Sequence, residues 1–97
     1  RELAIEWAKH GIRVNAIQPC QFLTPSLQAY IDAAPDPGAV VQGFLKGIPL
    51  DRMGDPERDI VGPIVFLASD AAAMITGVVL PVDGGNLAFN AGGSKTW

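Results

Sequence analysis

Charge is scarce in this chain. Charged residues make up 18% of its 97 positions, against the usual quarter or so of a globular domain. A surface so thinly charged is meant to be covered, by more chain or by a subunit. The seven Lys and Arg form no cluster, the net charge is −3 and the pI is near 4.8, which excludes nucleic-acid binding through a basic face. Long apolar runs are missing too. None approaches the ~18 residues needed to span a bilayer, and the longest, Ile60 to Ala68, is interrupted by Gly62 and Pro63. No membrane partner is expected. With a single cysteine, Cys20, no internal disulfide can form, which fits a reducing compartment. The chain opens on Arg1-Glu2 and enters a helical pattern with no signal-peptide features, so a cytoplasmic location is the expectation. His10 is the only histidine, and no metal site is foreseen.

What is present is apolar matter, 48% of the chain, enough for one small domain and too little for two. Leu3–Trp7 and Ala4–Ala8 are i, i+4 pairs, which predicts a helix over the first ten residues, capped at its end by Gly11. No Ser, Thr, Asp or Asn stands ready to cap its start, so the chain reads as beginning inside a helix, a truncation. Ile12 to Gln18 follows as a strand with apolar residues on both faces, ended by Pro19. Thr24 or Ser26 caps a helix over about Ser26 to Ala33, and Pro35-Asp36-Pro37-Gly38 breaks it before a second short helix, Ala39 to Lys46. Asp55 with Pro56 behind it opens a further helix that runs to about Ser69-Asp70. Val78 to Val82 reads as a buried strand, and Asp83-Gly84-Gly85 turns out of it.

About sixty residues separate the two strands, enough for a crossover, so the expected fold class is α/β with a parallel sheet. Two strands do not make an independent parallel sheet, which again implies a partial domain.

Three segments carry a family resemblance: Trp7-Ala8-Lys9-His10-Gly11-Ile12-Arg13-Val14-Asn15-Ala16-Ile17-Gln18-Pro19; Arg52-Met53-Gly54-Asp55-Pro56-Glu57 with Phe66-Leu67-Ala68-Ser69-Asp70; and Ile75-Thr76-Gly77 leading through Val78-Val79-Leu80-Pro81-Val82 to Asp83-Gly84-Gly85. In this order and spacing the chain resembles the C-terminal part of a short-chain dehydrogenase/reductase, over about Arg1 to Gly85. The resemblance implies a doubly wound, Rossmann-like parallel sheet. Residues 1–97 would be one fragment of that domain, with a substrate loop over about 23–47 and a tail over 86–97. The cofactor-binding half would be missing.

The resemblance also implies NAD or NADP as cofactor and a small alcohol or carbonyl compound as substrate. In doubly wound sheets ligands sit beyond the carboxyl ends of the strands, and Pro19 to Thr24 lies at such an end. Pro19, Phe22 and Thr24 are the positions carried over for cofactor binding, Phe22 through its backbone and Thr24 through its hydroxyl, to the nicotinamide carboxamide. Thr24 serves equally as a plain helix cap, and the two roles can coexist. Gln21, Leu27 and Tyr30 are candidate substrate-binding residues, with packing inside the small helices as the alternative. Cys20 departs from the family, which has glycine after the proline. A catalytic Cys20 lacks a visible base, since His10 precedes it across a full strand.

No Tyr-x-x-x-Lys occurs in the chain, so no catalytic residue is assigned here; the family's Ser, Tyr and Lys set would lie before Arg1. The stretch Pro19 to Pro25 leans toward members that oxidise sugar acids and polyols. Twofold packing through about Pro56 to Ala68 and Val78 to Val82 would make a homodimer or homotetramer. The rival reading is a non-catalytic fragment that acts only as an assembly or interaction piece.

Overall fold

Gly11 adopts the left-handed conformation, φ 73°, and its N–H bonds to the Ala8 carbonyl at 2.9 Å. That cap closes α1, Glu2–Trp7, after a tight 3-10 turn over Ala8–His10. In the computed structural model, which describes residues 1–89 and 96–97, the chain continues through β1 (Ala16–Pro19), α2 (Pro25–Asp32) and α3 (Pro37–Leu45). A π-type turn over Pro56–Ile60 leads into α4 (Val61–Ala68), and a 3-10 turn at Asp70–Ala72 precedes β2, Val79–Val82. The part of the expected tail at 90–95 lies outside the described residues.

The capping signals act as expected. Thr24 Oγ1 accepts the Leu27 N–H at 3.2 Å with Pro25 opening α2. Asp36 does the same for Ala39 at 3.1 Å, so the Pro-rich break is itself the start of α3, two residues earlier than expected. Asp55 accepts from both Glu57 and Arg58. Among the described residues, no helix is long and apolar enough to cross a membrane.

β1 and β2 pair in parallel, Ala16 opposite Val79 and Pro19 opposite Val82. Ala16 N–H donates to the Val78 carbonyl and Cys20 N–H to that of Val82. Alternation along the strands therefore turns the nitrogens of Pro19 and Pro81 away from the ladder, where neither costs a bond. The strand expected over Ile12 to Gln18 is shorter, because side chains replace the ladder before Ala16. Asn15 donates from Nδ2 to the Ile75 carbonyl at 3.0 Å and accepts the Val78 N–H on Oδ1 at 3.0 Å. Thr76 Oγ1 accepts the Val14 N–H, and Gly77 N–H donates to the Val14 carbonyl. Arg13 reaches the carbonyls of Leu67, Ser69 and Ile75, which gathers the end of α4 onto the same junction.

The core is small. Only Ala4, Ile31, Ile48 and Ala72 are buried hydrophobics among the described residues. The second strand, expected to be buried, alternates between exposed and half-buried residues, with Val79 41% exposed. Cα atoms spread over 54 × 27 × 22 Å with a radius of gyration of 16.6 Å, whereas a compact chain of this length has one of about 13 Å. The accessible surface is 6725 Å², against roughly 5,300 Å² for a compact monomer of this mass.

If Asn15 is the clasp of this junction, Asn15→Ala leaves the half-buried Val78 N–H without its acceptor and the Ile75 carbonyl with Arg13 as its remaining donor. A loss of about 1–3 kcal/mol in urea-denaturation stability is expected, and an unchanged midpoint would show that the ladder holds without it.

Candidate functional site

The site is built at the carboxyl end of the sheet. Past Pro19, Cys20 adds the last rung to β2, and the chain then turns through Gln21, whose φ of 61° is unusual for a side-chain-bearing residue. Phe22 forms an isolated parallel bridge with Gly54: Gly54 N–H donates to the Gln21 carbonyl at 2.9 Å and Leu23 N–H to the Gly54 carbonyl at 2.8 Å. A parallel bridge uses the flanking groups of the central residue. Phe22's own N–H and C=O consequently point to the side away from Gly54.

Two other segments converge there. After β2, Gly84 and Gly85 take φ values of 62° and 95°, and the Asp83 carboxylate holds the turn by accepting from the N–H groups of Gly85 and Leu87. Leu50 N–H donates to the Gly84 carbonyl at 3.0 Å. A Cβ on Gly84 would stand 2.6 Å from Ile48 Cγ2, so glycine is required for the close approach as well as for the turn. The Asn86 amide ties the third strand of chain in, donating to the Gly47 carbonyl at 2.7 Å while its Oδ1 lies 3.8 Å from Cys20 Sγ.

Between these segments lies a half-open cleft of about 320 Å³, walled by Cys20, Phe22, Ile48, Leu50, Gly54 and the residues around Asp83. At its rim Arg52 grips Asp59 with two nitrogens, at 2.7 and 2.8 Å. Asp59 Oδ2 also accepts the Asp55 N–H at 2.8 Å. The Arg52 hydrogen bonds, and after them the Asp55 N–H, hold the Asp59 carboxyl well below the usual carboxylate range. Both carboxylates of the cleft are thus committed to structure.

Of the residues singled out from the sequence, Phe22 lines the cleft and Pro19 and Thr24 frame the loop on either side of it. Gln21 supplies a carbonyl to the bridge. Leu27 is half-buried on α2, while Tyr30 is 64% exposed and neither borders the cleft. Cys20 faces the cleft with the Asn86 amide oxygen as its hydrogen-bond neighbour. Gly54, Ile48 and the Arg52–Asp59 pair were not among the expected site residues. Their motif was visible as Arg52-Met53-Gly54-Asp55-Pro56-Glu57, but nothing in its spacing tells that it folds back onto Phe22.

Chemically, the arrangement offers an amide-matching pair at Phe22. Thr24 adds a hydroxyl whose oxygen accepts from Leu27 while its hydrogen remains free to donate. It offers a wall for a ligand.

The chain matches the family model described as enoyl-(acyl carrier protein) reductase over residues 1–86. It is 45% identical over 83 residues to 2-dehydro-3-deoxy-D-gluconate 5-dehydrogenase of Pseudoalteromonas atlantica, covering 86% of this chain and 31% of that protein. A crystal structure of an oxidoreductase of the short-chain dehydrogenase/reductase family from Burkholderia thailandensis superposes with a TM-score of 0.77 at 40% identity, over 90% of this chain and 32% of the other. A 4-hydroxyisoleucine dehydrogenase complexed with NADH gives 0.79 at 36% identity, over 90% and 34%. The chain spans about a third of the length of the curated relatives it matches.

The sign of the Asp59 shift fixes a pH dependence. A carboxyl whose folded pKa is depressed contributes stability that is complete above its unfolded value near 3.8 and is lost as the pH falls below it. Asp59→Asn should therefore be less stable than wild type by a constant margin from neutrality to about pH 5, with the margin shrinking as the pH falls below that. Thermal melts across that range check this, and a margin that closes by pH 6 contradicts the ion pair's role.

Proposed function

The chain belongs to the short-chain dehydrogenase/reductase family, and we propose that it supplies the nicotinamide wall, the substrate flap and the subunit contact of an oxidoreductase that uses NAD or NADP to interconvert an alcohol and a carbonyl. The observation that carries this reading is the Phe22–Gly54 bridge. It leaves one N–H and one C=O of a single residue side by side at the carboxyl end of a parallel sheet, the complement of a carboxamide. Thr24's hydroxyl adds a second donor, and Pro19 stiffens the approach. The NADH bound to the 4-hydroxyisoleucine dehydrogenase of similar fold supports the cofactor class. A sugar acid or polyol is the proposed substrate class, supported by the likeness to the deoxygluconate dehydrogenase. Gln21, Leu27 and Tyr30, on the loop and on α2, are the proposed substrate contacts.

For assembly, Val61, Ile64, Val65 and Ala68 form an i, i+3, i+4, i+7 stripe on α4 that is exposed along its length. This stripe, with the exposed Val79 of β2 as a further apolar residue, is the proposed contact of a homodimer or homotetramer. The proton-transferring residues belong to no part of this chain, so the 97 residues alone are expected to transfer no hydride.

The test is a titration of NADH and NADPH into the polypeptide that joins this segment to a dinucleotide-binding half, followed by hydride-transfer assays on polyols and sugar acids. Binding of one nucleotide is expected, and failure of both to bind would sink the reading. Thr24→Val should weaken the nucleotide by about 0.5–1.5 kcal/mol, one hydrogen bond's worth, since valine cannot donate. Val65→Glu should reduce the sedimenting mass to that of a single subunit, and an unchanged oligomer would move the contact elsewhere.

A further inference from the structure

We infer that Gly54 is a positioning residue for the Phe22 wall, working as a steric pair with the Phe22 ring; this rests on the nicotinamide reading above. An ideal Cβ placed on Gly54 would lie 2.6 Å from Phe22 Cζ, 2.7 Å from Cε2 and 2.8 Å from Cδ2, inside any real contact distance. The ring therefore lies against the Gly54 backbone itself. Gly54 has no positive φ, so its glycine is not required by the turn. The space it leaves for the ring is what requires it.

Three restraints meet on this contact. The two backbone bonds of the bridge fix the register of Phe22 against Gly54. Gln21 is held at φ 61°, a conformation its own side chain disfavours, so the segment before Phe22 is kept in place by its surroundings rather than by local preference. Gly54 is in turn clamped from both sides through one carboxylate: Asp59 binds Arg52 two residues before it and the Asp55 N–H one residue after it. The 52–55 loop is a bracket, and Phe22 is what it holds. A methyl group at Gly54 must displace the ring or break the bridge. Breaking the bridge swings the free N–H and C=O of Phe22 away from the place where a carboxamide would meet them, whereas a ring that merely turned about its own torsions would leave them there, and nucleotide affinity distinguishes the two.

The experiment compares wild type, Gly54→Ala and the double variant Phe22→Val/Gly54→Ala in the polypeptide that carries both halves of the domain. Nucleotide affinity should fall roughly tenfold or more in Gly54→Ala, as for a site displaced by about an ångström. The double variant, with the ring removed, should recover most of that loss, a coupling that a merely destabilising substitution does not produce. Amide exchange at Leu23 and Gly54 should quicken in Gly54→Ala and slow again in the double variant. Wild-type affinity in Gly54→Ala, or a double variant no better than the single one, overturns the inference. Should Gly54→Ala fail to fold, a folded double variant still supports the pair and an unfolded one refutes it. If wild type binds neither nucleotide, the cofactor reading fails, while the exchange rates still decide the steric pair.

Discussion

Everything at the carboxyl end of this sheet depends on a four-residue parallel pairing between strands 63 positions apart, counted from Asn15 to Val78. Four rungs are a poor return for closing so long a connection. The side chains just before β1 make up the difference. Asn15 substitutes for two ladder partners at once, and Arg13 spends its guanidinium on three carbonyls, at the end of α4 and just before β2. Placing a bidentate amide and an arginine there fixes register where a longer run of backbone pairs would only favour it. Because the register is fixed, Cys20 meets Val82, Gln21 meets Gly54 and Gly84 meets Leu50 without further adjustment.

The electrostatics follow the same economy. Among the described residues the resolved side-chain ion pair is Arg52–Asp59, with side chains 44% and 18% exposed. A surface pair in isolation contributes little. Here its value is geometric. The same carboxylate receives a guanidinium and a backbone N–H, so it closes a loop of the chain instead of joining two remote surfaces. That is why the depressed pKa of Asp59 reads as a feature of loop architecture and not as a sign of a catalytic acid.

Local signals were legible and long-range ones were not. Gly11, Thr24, Asp55 and Asp83 each announce a cap or turn through the chemistry of one or two neighbouring residues, and each performs it. The strand over Ile12 to Gln18 was overextended because β-branched residues at 12 and 14 favour extended chain whether or not a partner strand is in reach. The fold class and the family came from three ordered motifs, in which short signals gain force from their sequence. The return of Gly54 onto Phe22 was invisible, since no periodicity links residues 32 positions apart through an absent side chain. Tyr30 was chosen for its chemistry, and it is exposed because α2 turns its neighbour Ile31 inward instead.

The exposed apolar surface carries the last step. Leu3, Ile5 and Trp7 on α1, Ile12 before β1, the stripe on α4 and Met74, which is 98% exposed, are too many and too contiguous for scattered surface hydrophobics. They are also not arranged at random. A depression of about 470 Å³ runs beside β1 beneath α4, lined by Arg13, Asn15, Ala16, Ile17, Ile64 and Leu67. It opens between β1 and α4, so α4 leaves this face of the sheet partly uncovered. The free edge of β1 is a separate opening, and Ile17 and Pro19 present their backbone groups along it. A strand on that edge and a layer beneath α4 are different pieces of structure, and the α4 stripe is divided: Ile64 and Ala68 line the depression, whereas the exposed Val61 and Val65 do not. Burying all three therefore takes more than one contact. Chain that extended the sheet would cover the edge and, with Ile64 and Ala68, the depression, and Val61 and Val65 would remain as the outward apolar part of α4.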